Sequence, residues 1–184
     1  SYSSNADARD AYNKGNDFLR QENYKDAAPW FQKAVAIDSE FAFAWDNLGI
    51  CYRKAGEYDK AIVAYKNSLR VDPRGKTPLQ NLAVVYQIQN KPDEAMATYN
   101  DILKYYPGDP ETYYGIGLVY YSVKKDMVNA LQNMCKAYNI YSNQKSPYRS
   151  DAEKVINLIY AEMKKNNQED VFNQILKENN LNGN

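Results

Sequence analysis

Small, apolar and aromatic residues recur along the chain with a fixed period of 34 residues. Gly15, Gly49, Ala83 and Gly117 stand one period apart. A large or apolar residue precedes each of them by four positions, and an aromatic residue follows by three. These spacings place the three side chains on one face of an α-helix, which has about 3.6 residues per turn. The pattern therefore predicts the same amphipathic helix four times.

A second helix follows in each period, after a short polar turn. Its face consists of an alanine, an aromatic residue four positions later and a small or apolar residue three positions after that. In the first three units these positions hold Ala27, Phe31 and Ala34, then Ala61, Tyr65 and Ser68, then Ala95, Tyr99 and Ile102. In the fourth unit they come one residue late, at Ala130, Met134 and Ala137. The delay predicts a one-residue insertion near Lys124-Lys125, in the turn between the two helices.

The period divides the chain into helical pairs. We interpret 8–41, 42–75, 76–109 and 110–143 as repeats one to four, and 148–180 as a degenerate fifth repeat whose helices cap the last apolar face. Residues 1–7 are interpreted as an N-terminal tail, natural or left from cloning, and 181–184 as a frayed C-terminal tail. Ser150-Asp151-Ala152-Glu153 has the spacing of a capping box, which predicts that the first capping helix begins there.

The second unit resembles the tetratricopeptide repeat over nearly its whole signature. The matching residues are Trp45, Leu48, Gly49, Tyr52, Gly56, Tyr58, Ala61, Tyr65, Ser68 and Pro73. The resemblance implies antiparallel helix pairs stacked into a superhelix with a concave groove. The predicted fold class is thus all-α, a right-handed α-solenoid of helix-turn-helix tetratricopeptide repeats with a C-terminal capping helix pair.

The resemblance also implies which residues line the groove, because the family uses the same first-helix positions in each unit. Carried over, these positions give a partner-binding groove of Arg9, Tyr12, Asn13, Asn16, Arg20, Phe43, Asp46, Asn47, Ile50, Arg53, Lys54, Gln80, Asn81, Val84, Gln87, Tyr114, Leu118 and Tyr121. One end is basic and rich in amides, and the other is aromatic and aliphatic. Asn16 and Asn47 match two positions of the chaperone-tail binders, but Tyr12, Thr77 and Asn81 replace that group's basic residues, so its carboxylate clamp is incomplete.

The amino-acid composition argues against nucleic-acid binding, metal binding and catalysis. The chain has 23 Lys and Arg against 23 Asp and Glu, and no His. Balanced charge gives no field that favours nucleic acid, and the commonest general base and metal ligand is missing. Cys51 and Cys135 lie two repeats apart, too far for a disulfide. We therefore predict no catalytic residue, no metal, no cofactor and no nucleic-acid partner.

The preferred hypothesis is a non-catalytic scaffold that binds a peptide or helix segment of another protein in the groove. Two alternatives remain open: a module that assembles with copies of itself, and a protein that binds a small ligand at the Tyr-rich end of the groove. No apolar run is long enough for a membrane span. The localisation is not determined: the chain is expected to be soluble, either cytoplasmic or exported after removal of a signal before Ser1.

Overall fold

The computed structural model describes residues 1–181, which form helices and turns with no strand. The helices are α1 Ala6–Arg20, α2 Tyr24–Ile37, α3 Ala42–Lys54, α4 Tyr58–Val71, α5 Lys76–Ile88, α6 Pro92–Tyr105, α7 Pro110–Val119, α8 Met127–Asn143, α9 Arg149–Lys165 and α10 Glu169–Glu178. A π-helical turn, Tyr120–Lys124, follows α7 directly. Residues 182–184, predicted as part of the C-terminal tail, lie outside the described residues.

The chain forms two compact units, 1–98 and 99–184. In the first unit α1 packs on α2, α2 on α3, and α3 on α4. Its core contains small residues from every helix of these pairs, together with the fully buried rings of Phe31 and Phe41. Burying one such ring stabilises the fold by about 1.5–3 kcal/mol. The apolar columns of the sequence are thus the packing surfaces between helices.

In the second unit α8 is the central helix, and it contacts α7, α9 and α10. Leu131, Met134 and Cys135 of α8 are fully buried against Ile159 and Met163 of α9. Phe172 and Ile175 of α10 complete this cluster. The last two helices therefore bury much of their apolar faces in this cluster, while Leu158 and Val171 stay exposed.

The turns between paired helices share one conformation. Glu22, Gly56, Asn90 and Lys125 each adopt a positive φ, between 53° and 76°. The amide of the next residue donates to the carbonyl of the aromatic residue near the end of the preceding helix, as from Asn23 to Phe18 at 3.0 Å. This arrangement satisfies a carbonyl that the helix end leaves unpaired.

The fourth turn contains the extra residue that the sequence predicts. In the first three turns the donor lies five residues after the aromatic acceptor. In the fourth, the Asp126 amide lies six residues after Tyr120, at 3.0 Å. The π-helical turn Tyr120–Lys124 absorbs the added residue, because a π turn holds one residue more than an α turn. The insertion thus leaves the pairing of α7 with α8 intact.

Replacing Glu22 with glycine is expected to stabilise the chain by about 0.5–1 kcal/mol, because a left-handed conformation is strained for a residue with a Cβ. The reverse change, Gly56→Ala, should destabilise it by about 1 kcal/mol, since φ at Gly56 is 76° and nothing lies within 4 Å of an added Cβ. Urea denaturation of the two variants measures both effects. Loss of stability in Glu22→Gly would contradict the account.

Two predicted boundaries differ from the structure. Helix α1 begins at Ala6, within the predicted tail, because the Asn5 side chain accepts from the amides of Asp7 and Ala8 and caps it. Helix α9 begins at Arg149, with no side-chain cap, so the predicted capping box is wrong. Ser150 lies inside the helix and its hydroxyl donates to the Pro147 carbonyl. Proline has a preset helical φ, which favours a helical turn before Ser150.

Candidate functional site

In the first unit, predicted groove residues of α1 and α3 contact each other. The Asn47 amide nitrogen donates to Asn16 Oδ1 at 2.8 Å and to the Tyr12 hydroxyl at 3.4 Å. All three side chains are half-buried. We group six of the predicted groove positions on these two helices as the α1–α3 surface: Arg9, Tyr12, Asn13, Asn16, Phe43 and Asn47.

The two asparagines use only part of their hydrogen-bonding capacity on each other. An amide side chain has two donor hydrogens and an acceptor oxygen. The bond between them uses one hydrogen of Asn47 and the oxygen of Asn16. The Asn16 amide nitrogen and the Asn47 amide oxygen remain, a donor on α1 beside an acceptor on α3. Such a pair can bond a peptide group, which carries one N–H and one C=O.

Two further predicted residues of α3, Asp46 and Arg53, have buried polar atoms without hydrogen-bond partners. Asp46 is 9% exposed, and its Oδ1 has no hydrogen-bond partner. The same holds for Nε of Arg53 and for the hydroxyl of Tyr65 on α4. Burial raises the pKa of the Asp46 carboxyl from 3.8 to about 6. Burial also raises the pKa of Tyr65, an effect that the nearby Arg53 partly opposes.

Tyr65 crosses α3 at a position without a side chain. A Cβ on Gly49 would lie 2.5 Å from Cε1 of the tyrosine ring. Phe31 crosses α1 at Gly15 in the same way, with 2.7 Å to the corresponding carbon. The aromatic residues of α2 and α4 therefore fit against the column glycines of α1 and α3. Because repeat one has phenylalanine, only the second pair of this unit carries a hydroxyl at that place.

The remaining predicted groove residues of the first unit differ in their exposure and in their contacts. Arg20 pairs with Asp17 on the exposed side of α1. The Lys54 ammonium lies 5.6 Å from the Tyr24 ring, beside the turn between helices. Ile50 is half-buried on α3. On α5, Gln80, Asn81 and Gln87 are half-buried and Val84 is exposed.

In the second unit, the aromatic residues predicted for the groove are less open than the sequence indicated. Tyr114, Leu118 and Tyr121 are half-buried and pack against the core cluster of α8, α9 and α10. Burial raises the pKa of Tyr114, and the carboxylate of Asp151 on α9 adds to the increase. These side chains therefore contribute to the packing of the last helices.

Sequence reasoning missed the N-terminal residues. Arg9 donates to the carbonyls of Ser3 and Ser4, and Asn13 lies within 3.5 Å of the Tyr2 hydroxyl. Residues 1–4 thus contact the α1–α3 surface, although they were assigned to a tail. The available signal was Tyr2, an aromatic residue in an otherwise polar segment.

The structure also describes the two cysteines, the groups that could bind a metal ion and the hydrophobicity of the helices. Both cysteines are free and buried, and burial raises the pKa of Cys51 to about 11 and that of Cys135 to about 12. Among residues 1–181, no three His, Cys, Asp or Glu side chains are grouped closely enough to hold a metal ion. Within the same range no helix has the length and apolar character of a membrane span.

Comparisons with known proteins agree with this architecture. Two sequence models described as tetratricopeptide repeat match the chain, one over 42–74 and one over 79–109. No curated protein matches it significantly in sequence. Among solved structures, MamA from residue 41 onward of Desulfovibrio magneticus RS-1 superposes with a TM-score of 0.78, at 14% identity and over 97% of both chains.

Two further solved structures share the fold. A crystal structure of MamA superposes with a TM-score of 0.72 at 22% identity, covering 75% of this chain and 80% of that one. A tetratricopeptide repeat protein from Parabacteroides merdae ATCC 43184 gives 0.68 at 20% identity, covering 94% and 75%. The predicted fold class, an all-α solenoid of tetratricopeptide repeats, is confirmed. The chain thus contains tetratricopeptide repeats, matched over 42–74 and 79–109, and it has the fold of tetratricopeptide-repeat proteins.

Proposed function

We propose that the chain is a non-catalytic scaffold that binds a peptide segment of another protein along the α1–α3 surface. The observation that carries the proposal is the pair formed by Asn16 and Asn47, joined at 2.8 Å. It holds an unused amide donor beside an unused amide acceptor. The two amide groups carry no net charge and do not select a particular side chain of the partner. They therefore suit the backbone of a peptide, which offers one acceptor and one donor per residue.

The Asn47 side-chain amide is held in one orientation before a partner binds. The bond to Asn16 and the contact with the Tyr12 hydroxyl hold the Asn47 amide in one position between two helices. A preorganised group loses less conformational entropy on binding than a free one, so more of its hydrogen-bond energy appears as affinity. Each hydrogen bond of this kind contributes about 0.5–1.5 kcal/mol.

The surroundings favour binding over catalysis. The side chains at the surface are amides, aromatic rings and the Arg9 guanidinium, which bind peptides well but are poor nucleophiles. The thiols have raised pKa values and so remain protonated at neutral pH, the unreactive form. The Asp46 carboxyl, next to Asn47 on α3, is buried, and its Oδ1 has no hydrogen-bond partner among the described residues.

Binding is tested with a peptide selected from a displayed random library on the immobilised chain. Asn47→Ala is expected to weaken the selected peptide about tenfold, the equivalent of about 1.4 kcal/mol. Asn100→Ala, which removes an exposed asparagine from α6, is the matched control and should bind like the wild type. Isothermal titration calorimetry gives both dissociation constants. Equal affinity of all three chains would show that the peptide binds elsewhere, and a library without binders would contradict the proposed function itself.

A further inference from the structure

Residues 1–4 lie along the α1–α3 surface as an irregular strap. The Tyr2 ring meets the Phe41 ring edge-on at 5.0 Å and the Tyr12 ring edge-on at 5.7 Å. Phe43 lies on a third side, at 6.4 Å. Edge-to-face contacts at these separations are the favourable geometry for aromatic pairs. Three rings from α1, α3 and the segment before α3 therefore form a seat for one aromatic side chain.

The backbone of the strap is held by polar groups. Arg9 Nη1 donates to the Ser3 carbonyl at 3.1 Å and also to the Ser4 carbonyl. Ser3 is 5% exposed, and its hydroxyl donates to the Asp38 carboxylate. The Ser1 hydroxyl donates to the Glu40 carbonyl at 3.0 Å. These contacts recognise two backbone carbonyls, an aromatic ring and a small hydroxyl residue directly after it.

We propose that the strap occupies one subsite of the binding surface, and that the partner enters as an extended segment carrying a tyrosine or phenylalanine followed by a small hydroxyl residue. The inference rests on the proposed function and specifies its ligand. The seat recognises the ring, Arg9 recognises the backbone, and Asp38 recognises the hydroxyl. The partner displaces residues 1–4 by making the same contacts.

A partner segment can displace residues 1–4 without unfolding a helix. Tyr2 is 51% exposed, and the strap lies outside any helix, so its release breaks no hydrogen bond within a helix. A tethered segment competes with an effective concentration in the millimolar range. The strap therefore weakens a partner's apparent affinity without closing the surface.

The test uses the full chain and a synthetic peptide with the sequence of residues 1–5. In the double variant Tyr2→Ala, Ser3→Lys the strap loses its ring and cannot bury its third residue, so the subsite is open. Ser4→Lys adds the same charge at an exposed position and is the matched control. We expect the peptide to bind the double variant at least tenfold more tightly than the wild type or Ser4→Lys, measured by chemical-shift titration.

Two further experiments test whether the tyrosine ring and Arg9 are required for binding. The same peptide with alanine in place of tyrosine should not bind, and adding Arg9→Ala to the double variant should abolish binding of the original peptide. Equal binding of the original peptide to the wild type and the double variant, or no binding to either, would overturn the inference. If the library-selected peptide binds through Asn47 while the residue 1–5 peptide fails to compete with it, the proposed function stands and this inference falls.

Discussion

Asp46→Asn is expected to raise the free energy of unfolding at neutral pH by about 2–3 kcal/mol. The wild-type residue is buried, and among the described residues Oδ1 of its carboxylate has no hydrogen-bond partner. An ionised group in that position loses its hydration without compensation. Asparagine has the same shape and no charge, so the variant avoids most of this cost.

The effect depends on pH with a definite sign. Burial raises the pKa of Asp46 from 3.8 to about 6, so the folded chain binds this proton more tightly than the unfolded chain does. The protonated Asp46 carboxyl therefore makes its full contribution to the free energy of unfolding below pH 3.8. This contribution is lost as the pH rises through about 6. At about 1.4 kcal/mol per pH unit, the loss amounts to about 3 kcal/mol.

Urea denaturation of the wild type and Asp46→Asn, repeated from pH 4 to pH 8, measures this difference. The two chains should have similar stability at pH 4 and diverge as the pH rises. Asp101→Asn removes an exposed carboxylate of α6 and should change stability by less than about 0.5 kcal/mol. A constant difference between the wild type and Asp46→Asn across this range would contradict the burial of an unpaired carboxylate.

Gly49→Ala is expected to lower the free energy of unfolding by about 2 kcal/mol, although alanine in place of glycine usually stabilises a helix by about 1 kcal/mol. The added Cβ would lie 2.5 Å from Cε1 and 2.7 Å from Cδ1 of the Tyr65 ring. That ring is fully buried and has little room to move. Overpacking of this kind costs about 1–3 kcal/mol and occasionally more.

The chain provides a matched control at the same repeat position. A Cβ on Gly117 would lie 2.7 Å from Cε of Met134, the flexible end of that side chain. The Ala130 carbonyl oxygen would lie 3.3 Å away, so Gly117→Ala should still cost some stability, but clearly less than Gly49→Ala. Adding Tyr65→Leu to Gly49→Ala should recover part of the loss, which a double-mutant cycle measures as a coupling energy. Additive losses would mean that the ring is not what opposes the alanine.

Residues in register with the repeat were predictable because packing alone constrains them. The glycine column and the aromatic column occur at one spacing, and in the structure the ring of Tyr65 does lie on Gly49. The insertion near Lys124-Lys125 was also detectable, since one added residue shifts every later column by one. Periodicity thus reports which faces are buried, because burial requires the same side chains at each turn.

The contacts of the predicted groove residues followed from the sequence only in part, and their role in binding stays a prediction. Asn16, Asn47 and Tyr12 do meet on α1 and α3. In contrast, Tyr114 and Tyr121 pack against the helices of the second unit, and the contacts of residues 1–4 lie outside any repeated pattern. A position in a repeat indicates the direction of a side chain, but not which later segment will cover it.

The sequence by itself determined the all-α fold, the helix pairs and the side chains that pack between them, because these follow from a period that every unit repeats. Only the tertiary structure decided the environment of single residues: the burial of Asp46, the strap over the α1–α3 surface and the covering of Tyr114. These depend on which segments approach one another in space. A contact between Tyr2 and Phe41 involves residues far apart in sequence, and no local spacing encodes their distance.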